Sequence, residues 1–188
     1  MADRFEGGRL FYFERHHLRI KASVTVKATT VERWIQDVPA TFLNAAAIKI
    51  VGLDCKYTQP ATEQRAAVLQ LCVGIHCLIY QIVHARFIPD QQRQFLKNEE
   101  IIFCGAAIEN YLAILAYYGL LVATRKNLHR YDRVPGMKTP GLFDMANYLR
   151  ETNYVKDTKG TLRWKGWAKV PLTFEQIEYA AIDARLSF

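Results

Sequence analysis

The chain has 188 residues and a mass of 21.7 kDa, with 51% hydrophobic and 23% charged residues. Such a composition supports one domain, 1–188, with a buried core, and excludes a disordered tail. No apolar run approaches the roughly 18–20 residues of a membrane span, and the first nine residues lack the apolar stretch of a signal peptide; an intracellular protein of nucleus or cytoplasm, with no membrane partner, is expected. The formal charge is +7, and the segment from Thr124 to Lys169 alone accounts for it, with eleven basic residues against four acids. That asymmetry is the footprint expected of a polyanion partner, or of a solvated basic surface.

In chain order, Leu10–Phe13 and Leu18–Lys27 carry clustered or alternating β-formers and read as strands. Thr29 and Glu32 have capping-box spacing, Val31, Trp34, Ile35 and Val38 follow at helical intervals, and Pro39 should interrupt or end that helix. Ala47–Asp54 reads as a strand ending in an acid. Ala66–Val73 and Cys77–Ile82 read as two further strands joined by a hairpin at Gly74-Ile75-His76. Asp90–Lys97 should be a short helix, Ile101–Cys104 a buried strand, Ile108–Tyr118 a helix closed by Gly119, and Leu120–Ala123 another strand. A turn cluster over 134–141 precedes a helix at Leu142–Arg150, and Thr173 with Gln176 forms a capping box that opens the last helix. Neighbouring strands followed by alternating helix and strand make an α/β fold, a sheet with helices on its faces. The four cysteines, Cys55, Cys72, Cys77 and Cys104, match no paired-ligand zinc spacing and read as buried reduced thiols.

Candidate chemistry lies in two places. Asp54 closes an apolar strand, where a site at the carboxyl end is a natural use for an acid. Tyr179 and Asp183 are four apart on the last helix and so share one face. Just before that helix, Arg163, Trp164, Lys165, Trp167 and Lys169 interleave cations with aromatics, a pattern that can neutralise phosphates and stack a base; the indoles can equally be packing residues that anchor a loop. Lys126, Arg130 and Arg133 form a second basic cluster, either a solvated face or an extension of a phosphate track.

Taken together and in order, Ile50-Val51-Gly52-Leu53-Asp54-Cys55-Lys56 resembles the first motif, strand then Asp-x-Glu, of the DEDD superfamily of 3′–5′ exonucleases. Phe103-Cys104-Gly105-Ala106-Ala107-Ile108 resembles the approach to the second motif, Phe-Val-Gly-x-Gly-Ile-x-x-Asp, and Tyr179-x-x-x-Asp183 is similar to the third motif of the tyrosine subclass. Leu69–Gly74 and Trp167–Pro171 extend the likeness towards Werner-syndrome-type exonucleases. The resemblance implies a ribonuclease-H-like mixed sheet flanked by helices, and a site in which four carboxylates hold two Mg²⁺ or Mn²⁺ ions roughly 3.5–4 Å apart. It also implies a single-stranded 3′ end as ligand, with Tyr179 orienting the attacking water.

The chain departs from that pattern at the ligands. Asp54 and Asp183 are retained, but Lys56 stands where the second acid belongs and Tyr111 where the third belongs. Two carboxylates and an ammonium offer a net charge of −1 where the quartet offers −4, and a desolvated ammonium opposes a nearby cation. Lys56 is therefore expected to pair with Asp54, and with Asp183, in place of metal. Glu109, two residues from Tyr111, should point elsewhere on its helix. The reading is a pseudo-exonuclease that binds nucleic acid, or a protein partner, with metal binding lost or weak. The alternative is a working 3′–5′ exonuclease on DNA or RNA ends with one ion held by Asp54 and Asp183.

Overall fold

The computed structural model describes residues 4–5, 8–15, 18–59, 63–131, 134–150 and 166–188. Eight strands form one mixed sheet: β1 (Arg4–Phe5), β2 (Gly8–Arg15), β3 (Leu18–Thr25), β4 (Lys49–Tyr57), β5 (Ala66–Val73), β6 (His76–Tyr80), β7 (Ile101–Gly105) and β8 (Thr124–Asn127). Their spatial order is β1-β2-β3-β6-β5-β4-β7-β8. The β3/β6, β4/β7 and β7/β8 pairs are parallel and the rest antiparallel. The helices are α1 (Ala28–Phe42), α2 (Asp90–Lys97), α3 (Glu109–Ala116), α4 (Leu128–Tyr131), α5 (Leu142–Arg150) and α6 (Phe174–Ser187).

Two cores flank the sheet. On one side Val31, Trp34 and Val38 of α1, Phe95 and Leu96 of α2 and Leu115 of α3 pack on Val51, Leu53, Leu69, Leu71 and Leu78. On the other, Ile177, Ala180, Ala181 and Ala184 of α6 pack on Ile20, Ala22, Val68, Cys72 and Ile79. Alternate residues of β5 go to opposite cores, and those of β4 divide between the first core and the side under α6, because strand side chains alternate with a period of two. Every residue of β5 is buried, as expected of a strand covered by helices on both faces.

Several sequence expectations are corrected. α1 begins at Ala28, so Thr29 lies inside the first turn and caps nothing; Lys27 occupies the capping position, its amide held by Thr25 Oγ1 at 2.9 Å. Pro39 does not end α1, which continues to Phe42, with Pro39 buried against the core and its carbonyl accepting from the Leu43 amide at 2.7 Å. Packing of the apolar stripe outweighs the one backbone bond that proline removes. The strand expected at Leu120–Ala123 lies four residues later, because Leu120 and Val122 plug the core from an irregular segment and pairing with β7 starts at Thr124 opposite Ile102. The hairpin at Gly74-Ile75, α2, α5 and the Thr173–Gln176 capping box of α6 are as read, with Gln176 N to Thr173 Oγ1 at 3.3 Å and Thr173 N to Gln176 Oε1 at 2.9 Å.

The carboxyl-terminal half of α6 rests directly on β4 at Gly52. A Cβ there would overlap the Ala184 carbonyl oxygen and lie 2.6 Å from the Phe188 amide nitrogen, with backbone on both counts. The absent side chain at Gly52 thus lets α6 approach closely enough to face the rest of β4. Gly52→Ala is expected to lift the helix and cost about 2–3 kcal/mol, measured as a lowered midpoint in denaturant unfolding with an unchanged slope. Among the described residues, no helix is long and apolar enough to cross a membrane.

Candidate active site

Asp54 does not close its strand. β4 runs on to Tyr57, paired with β5 as far as Ala66, so Asp54 and Lys56 are both strand residues two apart and project to the same side as Gly52. That side lies under α6, whose Tyr179 and Asp183 stack one turn apart. The Lys56 ammonium sits between the two acids, with Nζ 2.5 Å from Asp54 Oδ2 and 2.5 Å from Asp183 Oδ2. All three groups are buried: Asp54 is 5%, Lys56 9% and Asp183 3% exposed.

Two aromatic rings complete the lysine's surroundings. Nζ lies 4.7 Å from the centre of the Tyr179 ring and 5.8 Å from that of Trp167, distances at which the ring quadrupole favours a cation. Burial alone would lower the Lys56 pKa, but Asp183, then Asp54, then Tyr179 outweigh it, and the net direction is well upward. The side chain is a permanent cation at any physiological pH. Tyr111 brings its hydroxyl from the first turn of α3 to 2.8 Å from Asp54 Oδ1, with the Ala106 carbonyl oxygen a second acceptor at 2.9 Å. Burial, reinforced by the Asp54 charge, pushes this phenol far above its usual pKa, so it stays a neutral donor. The acid Asp54 thus has an ammonium on one oxygen and a phenol on the other.

Glu109, next to the lost third acid in sequence, is turned towards β8 and α4. It accepts from the Asn127 side-chain amide and lies 3.4 Å from the Arg130 guanidinium. This placement follows from its position on α3, two residues and about 200° around the helix from Tyr111, and it gives Arg130 of the second basic cluster a carboxylate partner. Among the described residues no group of three or more His, Cys, Asp or Glu side chains is disposed to hold a metal ion. The donor set around Asp54 does not fit a two-metal centre: it is two carboxylates already shared by one ammonium.

Trp167, 2% exposed, packs against Tyr179 with ring centroids 6.1 Å apart, leaving no face for a base to stack on; of the two roles open to it in the sequence, it takes the packing one. Its segment is fastened to the 3₁₀ turn Ile82–His84 and the residue before it: Gln81 Nε2 donates to the Lys169 carbonyl at 2.8 Å, and His84 Nε2 lies 2.6 Å from the Ala168 carbonyl. The Lys169 side chain is exposed. Arg163, Trp164, Lys165 and Arg133 lie outside the described residues.

Asp54, Lys56, Tyr111, Tyr179 and Asp183 border a cleft of about 820 Å³. Asn110, His129 and Asp144 also line it, and sequence reasoning missed all three. The first was legible as the neighbour of Tyr111; the other two come from α4 and α5, whose placement no local pattern gives. Ala107, where the family's second motif carries glycine, has φ +53°, in the left-handed region, with its amide donating to Asn127 Oδ1 at 3.1 Å. An alanine held there is strained by about 1–2 kcal/mol. Ala107→Gly is therefore expected to stabilise the domain by about 0.5–1 kcal/mol after the entropy of the freer unfolded chain is deducted, seen as a higher thermal midpoint.

No family model matches the sequence. The chain is 29% identical over 143 residues to "Exonuclease 3'-5' domain-containing protein 2" of Drosophila melanogaster, covering 74% of this chain and 24% of that protein. It is 26% identical over 142 residues to the "Bifunctional 3'-5' exonuclease/ATP-dependent helicase WRN" of Mus musculus, covering 72% of this chain and 10% of that one. The chain thus spans a quarter or less of the length of these two relatives. Among solved structures, the catalytic core of RRP6 from Trypanosoma brucei superposes with a TM-score of 0.72 at 12% identity, over 94% of this chain and 46% of that one. Escherichia coli RNase D gives 0.69 at 18% identity, over 87% and 41%.

In sequence and in fold the chain is similar to 3′–5′ exonuclease domains. Its mixed sheet flanked by helices is the ribonuclease-H-like fold that the resemblance implied, matching the exonuclease domains of RNase D and RRP6. An EXD2 exonuclease domain soaked in Mn superposes with a TM-score of 0.51 at 17% identity, over 88% of this chain and 85% of that one. At the positions that the sequence resemblance pairs with the motif acids stand Asp54, Lys56, Tyr111 and Asp183, the constellation described above.

Proposed function

We propose that this Werner-type exonuclease domain is a pseudo-exonuclease, one that receives a single-stranded 3′ end in the Asp54–Asp183 cleft without hydrolysing it. The observation that carries the reading is the Lys56 ammonium, 2.5 Å from a carboxylate on each side, where the family pattern calls for an acid that binds metal. A fixed cation there satisfies both acids and repels a divalent ion, so the charge stabilisation that metal lends to phosphoryl transfer has no seat. The basic excess between Thr124 and Lys169 supplies the attraction for phosphates, with Arg163, Lys165 and the exposed Lys169, which precede α6 in sequence, as the proposed contacts.

The test is an end-labelled single-stranded DNA and RNA assay in Mg²⁺ or Mn²⁺. Binding without trimming is expected, with affinity falling steeply as salt rises and weakening on Arg163→Glu, Lys165→Glu and Lys169→Glu. Processive 3′ trimming that Asp54→Ala abolishes would overturn the reading. A second reading, an active exonuclease using one ion, is favoured by the retained Asp54, Tyr179 and Asp183 along an open cleft. Tight, stoichiometric Mn²⁺ uptake in calorimetry, lost on Asp183→Ala, would select it.

A further inference from the structure

A second cavity, of about 370 Å³, lies between α1 and the β2/β3 edge of the sheet and shares no residue with the Asp54 cleft. Among the described residues α1 packs chiefly on β5 and β6 and meets β2 at its start, where Thr30 lies against Gly8, so a space stays open between the rest of α1 and the β2/β3 edge. The strand order puts three inter-strand steps between β3 and β4, roughly 14 Å, so the two sites are separate. Its floor is apolar, made by Leu10, Trp34 and Val38. One wall is the Phe42 ring, exposed and 4.8 Å from the His76 ring at an angle of 35°.

The rim is cationic. Lys21 and Arg33 line the cavity with Asp37 as the single carboxylate; Arg9 also borders it, but its guanidinium lies 4.9 Å from the Phe11 ring, on the opposite face of the sheet. Neither Lys21 nor Arg33 has an ion-pair partner within 4.0 Å among the described residues. Lys21 stands opposite Tyr12 on β2 and beside His76 on β6, with its ammonium 5.8 Å from the centre of the Tyr12 ring. Burial, and next the Lys21 charge, hold the His76 pKa below its usual value, so His76 adds a neutral ring and not a further charge. Ser23, Thr30 and Thr41 supply hydroxyls. Two cations against one anion leave +1 beside an apolar floor. They border a concavity of a size that takes a small ligand.

We propose that this cavity binds a phosphate monoester carrying a planar apolar body, of which a nucleoside 5′-monophosphate is the working probe. The sign of the charge is complementary, since a monoester carries about −1.5 to −2 at neutral pH, and charge-assisted hydrogen bonds from arginine and lysine to phosphate are the strong kind. The planar body lies over Leu10 and Trp34 against the Phe42–His76 wall, and Asp37 is placed to accept from a hydroxyl or amino group of the ligand. Binding here does not depend on what happens in the Asp54 cleft.

The experiment titrates the full chain, ¹⁵N-labelled, with AMP, adenosine and inorganic phosphate, followed by amide shifts and by calorimetry. Saturable AMP binding is expected, with shift changes at Ser23, Thr30, the Trp34 indole and His76, and with adenosine and phosphate each at least about tenfold weaker. Lys21→Gln with Arg33→Gln should weaken AMP at least about tenfold while leaving the unfolding curve unchanged, because both side chains reach solvent. Adenosine binding as tightly as AMP, shifts confined to the Asp54 cleft, or no saturation by about 1 mM would each overturn the proposal. None of those results bears on the pseudo-exonuclease reading, which fails only on hydrolysis or metal uptake at the other site.

Discussion

Lys56→Met is expected to destabilise the domain by about 3–5 kcal/mol, because it leaves Asp54 and Asp183 facing one another in a buried site with no cation between them. The loss would be read as a large fall in the denaturant midpoint. Desolvation explains why the loss should exceed that of an exposed ion pair, for which about 1 kcal/mol is an upper figure. The partner experiment replaces all three groups with apolar ones, Asp54→Leu, Lys56→Met and Asp183→Leu together; it should recover most of the stability, since no buried charge then remains. If Lys56→Met alone were neutral, the ammonium would not be the structural cation argued above.

The pH dependence follows with its sign. The folded Lys56 pKa is raised above its ordinary 10.5, so its stabilisation is complete below that value and is lost only as pH rises beyond it. The native domain should therefore show no contribution from Lys56 to a pH slope between about 6 and 9. In Lys56→Met the two acids repel and are expected to protonate more readily in the folded chain than in the unfolded one. Their penalty should then fade as pH drops towards about 4. A thermal-midpoint series at several pH values distinguishes the two proteins by the direction of the slope.

The second large effect is a gain. Lys56→Glu with Tyr111→Asp places acids at both motif positions that lack them and takes the formal charge of the site from −1 to −4, the balance that two divalent cations require. Without metal, four clustered carboxylates should make this variant markedly less stable than the native chain. With Mn²⁺ it should be rescued: a ligand at about a hundred times its Kd adds about 2.7 kcal/mol, whereas the native chain should show no Mn²⁺-dependent shift in its melting midpoint. Trimming of a labelled single strand by the variant, in metal and not in a chelator, is the stronger outcome. A native chain whose midpoint responds to Mn²⁺ as strongly as the variant's would mean that Lys56 yields to the ion, and hydrolysis would again be the favoured reading.

Among the solved relatives, the geometry of the domain is shared at sequence identities of 12–18%, which shows how little of a ribonuclease-H-like sheet depends on particular residues. The same sheet that aligns an acid two residues after Asp54 in the motif pattern aligns Lys56 here, because strand periodicity brings i and i+2 to one face whatever the residue. The substitution leaves the backbone alone and inverts the electrostatics, a change of two charges at one position.

The order of elements, the α6 capping box and the identities of Asp54, Lys56, Tyr111, Tyr179 and Asp183 were all readable in the sequence alone, since each depends on short-range spacing: a run of apolar residues, a turn at Gly74, a Thr and a Gln three apart. The misplacements, at Thr29, Pro39, the end of β4 and the position of β8, share one cause, namely that long-range packing decided where a helix or strand stops and local signals did not. Only tertiary structure could bring Asp183 to Lys56 across 127 positions, and it does so because Gly52 lets α6 settle on β4. The same holds for the second cavity. Lys21 and Arg33 are distant cations in the chain, and border one concavity only when β3 and α1 fold beside each other, because charge has no sequence range and acts through the space that folding creates.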